Sequence, residues 1–260
     1  MKRLSAWLNA LREWDSRVGY SCDCCERELF DYPLRRVCEE CETKFLKNTE
    51  RVCEKCGRST VADGVCLSCK KEMPAFELGV SPFVYFGEVA SVVNRIKNGN
   101  RRLAYYFGTR MAEYYLQTVP DIKERFSRGR YEVNGGILYI VPVPTTAEAR
   151  RKRGYNQAEE LAQTVAQKLF EAGLAVEYCP NALEKKESKE QKKLTFSERM
   201  KSAEESYRVQ DRTIWKDKCV LIVDDIMTTG ATGSACARRL YKAKAKQVHF
   251  LVGASLPEKR

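Results

Sequence analysis

Runs of consecutive apolar residues occur along the chain, each bounded by polar positions. The clearest are residues 137–141, 220–223 and 248–254, with weaker ones at 83–86 and 174–178. A strand of a parallel sheet is covered by helices on both faces, so it is apolar throughout and does not alternate. These runs therefore predict buried strands of a mostly parallel sheet.

Between the runs, apolar residues recur every three or four positions. Segments 89–96, 101–116, 156–171 and 234–244 show this spacing, which predicts amphipathic helices. Strands that alternate with helices predict an α/β domain. We place that domain at residues 76–260.

Residues 1–18 carry a separate prediction. Leu4, Trp7, Leu8 and Leu11 lie at helical spacing, which predicts a short amphipathic helix. Because its charges are mixed, we expect it to pack on its own protein, with a membrane surface or a partner as alternatives. Polar residues interrupt the apolar positions throughout, which is not the pattern of a signal peptide.

Cysteines are concentrated in the first part of the chain, and four pairs have C-x-x-C spacing. That spacing lets two thiolates face one metal ion, and two pairs complete a tetrahedral Zn²⁺ shell. The predicted ligands are Cys22, Cys25, Cys38, Cys41, Cys53, Cys56, Cys66 and Cys69. Joining neighbouring pairs is simplest and gives a double zinc ribbon over residues 19–73, although an interleaved pairing stays open. Cys24 is then a spare thiol or a replacement for Cys22.

Metal binding fits these cysteines better than disulfides or redox chemistry do. No secretory signal precedes them, and redox C-x-x-C motifs rarely occur four in a row. A shell of four thiolates leaves no open coordination position, so the two zinc ions are expected to be structural. So short a segment buries little core, and the ions are expected to supply its folding energy.

Composition sets the class of partner. The chain has 260 residues, is 43% hydrophobic and carries a formal net charge of +11, which zinc in two four-thiolate sites would lower to about +7. An excess of basic residues favours polyanionic partners such as phosphates or nucleic acid. The alternative is a basic surface that serves only solubility. No apolar run reaches the roughly 18 residues of a membrane span. The cysteine usage predicts a cytoplasmic location.

The apolar run 220–223 leads into the most informative motif. Two acids, Asp224 and Asp225, come next, and a small, hydroxyl-rich turn precedes a helix. A strand, a short loop and a helix N-terminus predict a phosphate site, because free backbone N–H groups and the helix dipole attract an anion there. The acids suit ribose hydroxyls or a Mg²⁺ ion shared with a pyrophosphate. The residues of the turn are Met227, Thr228, Thr229, Gly230, Ala231 and Thr232.

Consecutive cations after the strand at 137–141 form a second candidate site. In open α/β sheets, ligands bind outside the carboxyl ends of the strands, so these cations are placed to hold a pyrophosphate. The aromatic ring that follows offers a stacking surface for single-stranded DNA beside phosphate donors. The residues are Arg150, Arg151, Lys152, Arg153 and Tyr155.

Residues 183–202 are dense in charge and poor in apolar side chains. This composition predicts a mobile segment outside the core. A mobile charged loop could close over a phosphorylated ligand and exclude water, and a disordered insertion is the alternative.

The acid pair with its Thr-Thr-Gly turn resembles the PRPP-binding motif of type I phosphoribosyltransferases. The resemblance implies that Asp224 and Asp225 hold the ribose 2′- and 3′-hydroxyls of PRPP, with Mg²⁺ as its companion ion. Residues 228–232 would hold the 5′-phosphate, and residues 183–202 would form the hood of the fold.

Four landmarks together resemble the ComF (ComFC/GntX) family of double zinc ribbon, phosphoribosyltransferase-like proteins. They are the cysteine-rich segment, the acid pair with its turn, Val141-Pro142-Val143-Pro144 with the string at 151–158, and the Gln191, Leu194 and Arg199 loop. The family tends to have Arg-x-x-Asn in that loop, where this chain has Ser202. The resemblance implies a cytosolic protein of natural competence that handles imported single-stranded DNA with DNA-uptake or helicase machinery.

Two functions follow from these features. The first is an enzyme that transfers a phosphoribosyl group from PRPP to a nitrogen nucleophile, in competence or in nucleotide metabolism. The second is a binding module that keeps the phosphate pocket but senses a nucleotide or holds single-stranded DNA. Only the first predicts pyrophosphate release, and only the second predicts salt-dependent DNA binding that requires the cations.

Overall fold

The computed structural model describes residues 21–32, 35–48, 51–128, 136–186 and 205–258. The predicted helix at 1–18 lies outside these ranges, as do Gln191, Leu194, Arg199 and Ser202. The chain divides into two compact units, Met1–Lys44 and Phe45–Arg260.

The described part of the smaller unit is organised around the first four predicted metal ligands. A bridge joins Ser21 to Glu28, and one short helix, α1, spans Glu39–Glu42. Arg36 donates from Nε to Asp23 Oδ2 at 2.9 Å, and both side chains are buried. Removing one partner of a buried ion pair typically costs about 3–5 kcal/mol, so this pair is a structural part of the unit.

The larger unit contains a parallel sheet, so the prediction of a parallel α/β domain is confirmed. Its strands are β1 (Leu78–Val80), β2 (Phe83–Val84), β3 (Leu138–Pro142), β4 (Val176–Tyr178), β7 (Cys219–Met227) and β8 (Gln247–Ser255). They lie in the order β1-β8-β7-β3-β4, and β2 also pairs with β8. A separate antiparallel pair joins β5 (Leu183–Lys185) to β6 (Tyr207–Val209).

Helices pack on this sheet through the apolar faces that the spacing predicts. The described helices of this unit are α2 (Leu67–Lys71), α3 (Gly87–Lys97), α4 (Arg101–Thr118), α5 (Ile122–Arg125), α6 (Ala147–Arg153), α7 (Gln157–Glu171) and α8 (Ala231–Lys242). Helices α4 and α7 pack on each other, α7 also contacts β3 and β7, and α8 contacts β7 and β8.

Three segments differ from the sequence-based predictions. Residues 183–185 are an ordered strand, because Leu183 is buried opposite Val209, so the prediction of mobility is wrong there; residues 187–204 lie outside the described ranges. The cations at 150–153 lie in a short helix, α6, which the apolar spacing did not predict. Helix α8 begins at Ala231, three residues earlier than the apolar spacing predicts.

Candidate functional site

The acid pair lies within β7, near its carboxyl end, beyond the point where the neighbouring strand β3 has ended. Strand β3 pairs with β7 only as far as Pro142 opposite Val223. Strand β7 continues alongside β8, with Asp224 opposite Val252. The acids therefore lie at the carboxyl end of the sheet, where open α/β folds bind their ligands.

Asp225 is held by side chains from two helices. Its Oδ2 atom lies 3.3 Å from Lys97 Nζ, at the end of α3. The same oxygen accepts a hydrogen bond from Gln157 Nε2, at the start of α7, at 3.3 Å. Its Oδ1 atom accepts from the Ile226 amide at 2.8 Å. A buried carboxyl group with these partners is fixed in orientation.

Asp224 is in a different electrostatic state. Its Oδ1 atom accepts a hydrogen bond from the Asp225 amide at 2.9 Å. Burial raises the pKa of Asp224 well above the ordinary value, and the nearby Asp225 carboxylate raises it further. A carboxyl group that keeps its proton can donate a hydrogen bond to a ribose hydroxyl and accept one from it.

The predicted phosphate turn connects β7 to α8 through a left-handed residue. Gly230 has φ +82° and precedes the first residue of the helix, and this conformation favours glycine. Thr228 and Thr229 are exposed, and Thr229 Oγ1 accepts from the Ala231 amide at 3.3 Å. The N–H groups of a first helical turn have no partner within the helix, which makes this end of α8 suited to an anion.

The four cations have different surroundings. Arg150 forms a two-pronged ion pair with Glu159, at 2.7 and 2.9 Å. Arg153 donates to Thr145 Oγ1 and to Gln157 Oε1, each at 3.0 Å. Arg151 and Lys152 are exposed, and neither forms an ion pair with any residue that the structure describes.

Gln157 joins the cation helix to the acid pair. Its carbonyl oxygen accepts from Arg153 and its amide nitrogen donates to Asp225. The Tyr155 hydroxyl donates to the Ile96 carbonyl and accepts from the Gly99 amide, which holds the turn beside Lys97 in place. The structure thus brings Asp225, Lys97, Gln157 and Arg153 into one network.

Lys97, Gln157 and a third residue, Arg58, were not predicted as site residues. Arg58 Nη2 donates to the Thr228 carbonyl at 2.8 Å. Lys97 precedes the Gly-containing turn at 98–100, and Gln157 belongs to the string at 151–158. These positions are sequence signals for the first two residues. Arg58 has no such signal, because it reaches the site only through tertiary packing.

The cysteines form the two sequential quartets that the spacing favours. They are Cys22, Cys25, Cys38 and Cys41, and Cys53, Cys56, Cys66 and Cys69; within each quartet, all four Sγ atoms lie within 4.8 Å of one another. Tetrahedral zinc with Zn–S bonds of about 2.3 Å requires sulfur separations of about 3.8 Å. The Sγ atoms of Cys25 and Cys38 are 3.7 Å apart, and those of Cys56 and Cys66 are 3.8 Å apart.

Backbone amides support the same assignment. The Cys22 sulfur accepts from the amides of Cys24 and Cys38, and the Cys53 sulfur accepts from those of Cys56 and Cys66. Such hydrogen bonds favour the thiolate form that a metal requires. Cys24 is buried and lies outside the quartet. Both quartets fit zinc.

Comparison with known proteins agrees with this architecture. The family described as phosphoribosyl transferase domain matches residues 154–260. Competence protein ComFC of Bacillus subtilis is 25% identical over 224 residues, which are 83% of this chain and 82% of that protein. Competence protein ComFC of Streptococcus pneumoniae is 27% identical over 216 residues, 82% and 84% of the two chains.

The chain is similar to ComFC competence proteins over most of its length, and residues 154–260 match the phosphoribosyl transferase domain family. Among solved structures, a hypoxanthine phosphoribosyltransferase from Trypanosoma cruzi is similar with a TM-score of 0.35 and 16% identity. That match covers 65% of this chain and 79% of the solved one. In the described part of this chain, no helix is both long and apolar enough to span a membrane.

Proposed function

We propose that the carboxyl end of β7 binds PRPP, with the ribose hydroxyls on Asp224 and Asp225 and the 5′-phosphate on residues 228–232. The observation that carries the proposal is the placement of Asp225. Its side chain contacts Lys97 and Gln157 at the carboxyl end of the sheet, next to a glycine-containing turn that precedes helix α8. A sugar that bears a terminal phosphate matches this site, because its hydroxyls can meet the acids and its phosphate can meet the turn.

The pyrophosphate of PRPP is proposed to lie toward α6. Lys97 contacts Asp225 directly, and Gln157 connects Arg153 to it. Arg151 and Lys152 are exposed on the same helix and can meet further phosphate oxygens. Mg²⁺ would travel with the pyrophosphate when bound and offset its charge, and Asp224 and Asp225 are the carboxylates in reach of it.

The chemistry that the site supports is phosphoribosyl transfer. A nitrogen nucleophile forms a bond to C1′ of the ribose while the bond from C1′ to the pyrophosphate oxygen breaks. Lys97 and Arg153 stabilise the negative charge on the departing pyrophosphate, and the acids hold a ribose that gains oxocarbenium character. No protein group has to remove a proton for bond breaking to begin.

We further propose a role in competence, in the cytoplasm, with a structural zinc ion in each quartet. The relatives that match most of the chain are named competence proteins, and this supports the process. The closed thiolate quartets support both the metal and a reducing compartment.

A second candidate is a module that binds single-stranded DNA without catalysis. The exposed Arg151 and Lys152 favour it, as does the net charge of +11. Such binding weakens steeply with salt because counterions are released from the phosphates.

The test separates the two candidates with one panel. Zinc-loaded protein is incubated with PRPP, Mg²⁺ and nucleobases or amines, and pyrophosphate is measured. Release that falls with Asp225→Asn and persists in the exposed control Asp63→Asn supports the enzyme. No release with any acceptor, together with salt-dependent DNA binding lost in an Arg151→Gln and Lys152→Gln double variant, supports the module instead.

A further inference from the structure

Arg58 connects the second cysteine quartet to the phosphate turn. It follows Cys56 and Gly57 directly and is 5% exposed. Its Nε atom donates to Cys56 Sγ at 3.3 Å, and its Nη2 atom donates to the Thr228 carbonyl at 2.8 Å. One buried guanidinium therefore contacts a predicted zinc ligand and the backbone of the turn.

The knuckle that carries Arg58 is fixed against the sheet. A Cβ atom on Gly57 would lie 2.4 Å from the Gly79 carbonyl oxygen, and one on Gly79 would lie 2.6 Å from the Cys56 carbonyl oxygen. Gly79 also donates its amide to the Lys55 carbonyl at 2.8 Å. Gly79 belongs to β1 and pairs with Phe250 of β8. The knuckle is therefore packed against an outer strand of the sheet.

A second set of contacts joins the hairpin at 51–67, which contains this knuckle, to Glu258. Glu258 accepts hydrogen bonds from the amides of Val61 and Leu67. Its own amide donates to the Ser59 carbonyl at 2.9 Å. Beyond the hairpin, the Ala75 amide donates to Ser234 Oγ, in the first turn of α8, at 2.9 Å.

The bond to Thr228 has a direct consequence for the anion site. In a planar trans peptide, the carbonyl of one residue and the amide of the next point in opposite directions. Holding the Thr228 carbonyl on Arg58 therefore fixes the direction of the Thr229 N–H, one of the amides of the turn. A charged donor makes this anchor stronger than a neutral one would be.

We infer that Arg58 is a positioning residue for the 5′-phosphate turn, and that it couples the metal in the second quartet to phosphate affinity. This inference rests on the proposed function. Because the guanidinium is buried, it acts through the Thr228 carbonyl and not by touching the ligand. By reciprocity, a ligand that requires the ordered turn must tighten metal binding at that quartet, and the metal must tighten ligand binding equally.

The first test compares ligands with and without a 5′-phosphate. Calorimetry measures PRPP, ribose 5-phosphate and inorganic pyrophosphate, each with Mg²⁺, on wild-type protein and on Arg58→Lys and Arg58→Gln. We expect the Kd for PRPP and ribose 5-phosphate to rise about tenfold, with the Kd for pyrophosphate changed by less than about twofold. Arg51→Gln removes a cation from the same hairpin and is expected to change none of the three.

Two outcomes overturn the inference alone. In the first, the variants bind all three ligands as wild type does; in the second, all three affinities fall together, which is the mark of a merely structural role. Failure of wild-type protein to bind either PRPP or ribose 5-phosphate overturns the proposed function as well.

A second measurement needs no variant. Zinc affinity of the wild-type protein is measured by competition with a chelating dye, with and without saturating ribose 5-phosphate. We expect the sugar phosphate to tighten one zinc equivalent severalfold and to leave the other unchanged. Equal zinc affinities in both conditions would overturn the coupling.

Discussion

Asp224 shows how one partly buried carboxyl makes stability depend on pH. Its raised pKa means that the folded chain keeps a proton which the unfolded chain has released. Above the ordinary carboxyl pKa of 3.8, stability therefore falls as pH rises, until the raised folded pKa is passed. Because neutral pH lies above that ordinary value, a cost of placing this carboxyl in the fold is present there.

Asp224→Asn is accordingly expected to raise the melting temperature at neutral pH. The amide does not titrate, and its oxygen can still accept the Asp225 N–H. The gain should shrink as the pH is lowered toward about 4, which thermal melts across that range would measure. Asp63→Asn, on an exposed side chain, should show no such trend, and a lower melting temperature of Asp224→Asn at about pH 7.5 would contradict the assignment.

The site residues differ in how far the sequence could predict them. Asp224 and Asp225 are adjacent and follow an apolar run, so local pattern is enough. Gln157 is 68 residues from Asp225 and Arg58 is 170 residues from Thr228. Contacts between residues so far apart in sequence depend on the order of the strands and on how the hairpin at 51–67 packs on the sheet. The periodicity of apolar residues does not encode either.

Local elements were predictable where propensity and packing agree. Helices α3, α4 and α7 match their apolar spacing closely. Helix α6 has no buried residue, so no apolar stripe marks it. Its signals are instead a Thr146 cap, strong helix formers and a left-handed Gly154, which together specify a short exposed helix.

The turn at the end of β7 depends on the left-handed conformation of Gly230. Gly230→Ala is expected to cost about 1–2 kcal/mol of stability, since a Cβ is disfavoured at positive φ. Space is not the cause, because the nearest atoms to that Cβ would lie 3.6 and 3.8 Å away. We also expect weaker PRPP binding, measured by calorimetry beside urea unfolding.

Gly173→Ala is the matched control for this prediction. Gly173 has φ +92° and follows α7, and no atom lies within 4 Å of the place that a Cβ would occupy. It should lose similar stability without losing affinity. Equal PRPP affinities for wild type and Gly230→Ala would contradict the role of the turn.

At the scale of the whole molecule, the two quartets lie in different compact units. Residues up to Lys44 contain the first quartet, and the unit that starts at Phe45 contains the second together with the sheet. Two separate metal contributions to folding are therefore expected, and a small cysteine-rich unit depends on its ion more than a large one does.

Metal analysis of purified variants tests this arrangement. Wild type and Cys24→Ser should each hold two zinc ions, because Cys24 lies outside the quartet. Cys41→Ser and Cys69→Ser should each retain one ion, and Cys69→Ser should also weaken PRPP binding through Arg58. Loss of a zinc ion in Cys24→Ser would contradict the ligand assignment.

The most direct test of the account is a calorimetric titration of zinc-loaded protein with PRPP and Mg²⁺. We expect one site per chain in the wild type. In the Asp224→Asn and Asp225→Asn double variant, we expect affinity to fall at least tenfold, or about 1.4 kcal/mol, with Asp63→Asn unchanged. Absence of binding in the wild type, or equal affinity in the double variant, would contradict the placement of the sugar on the acids of β7.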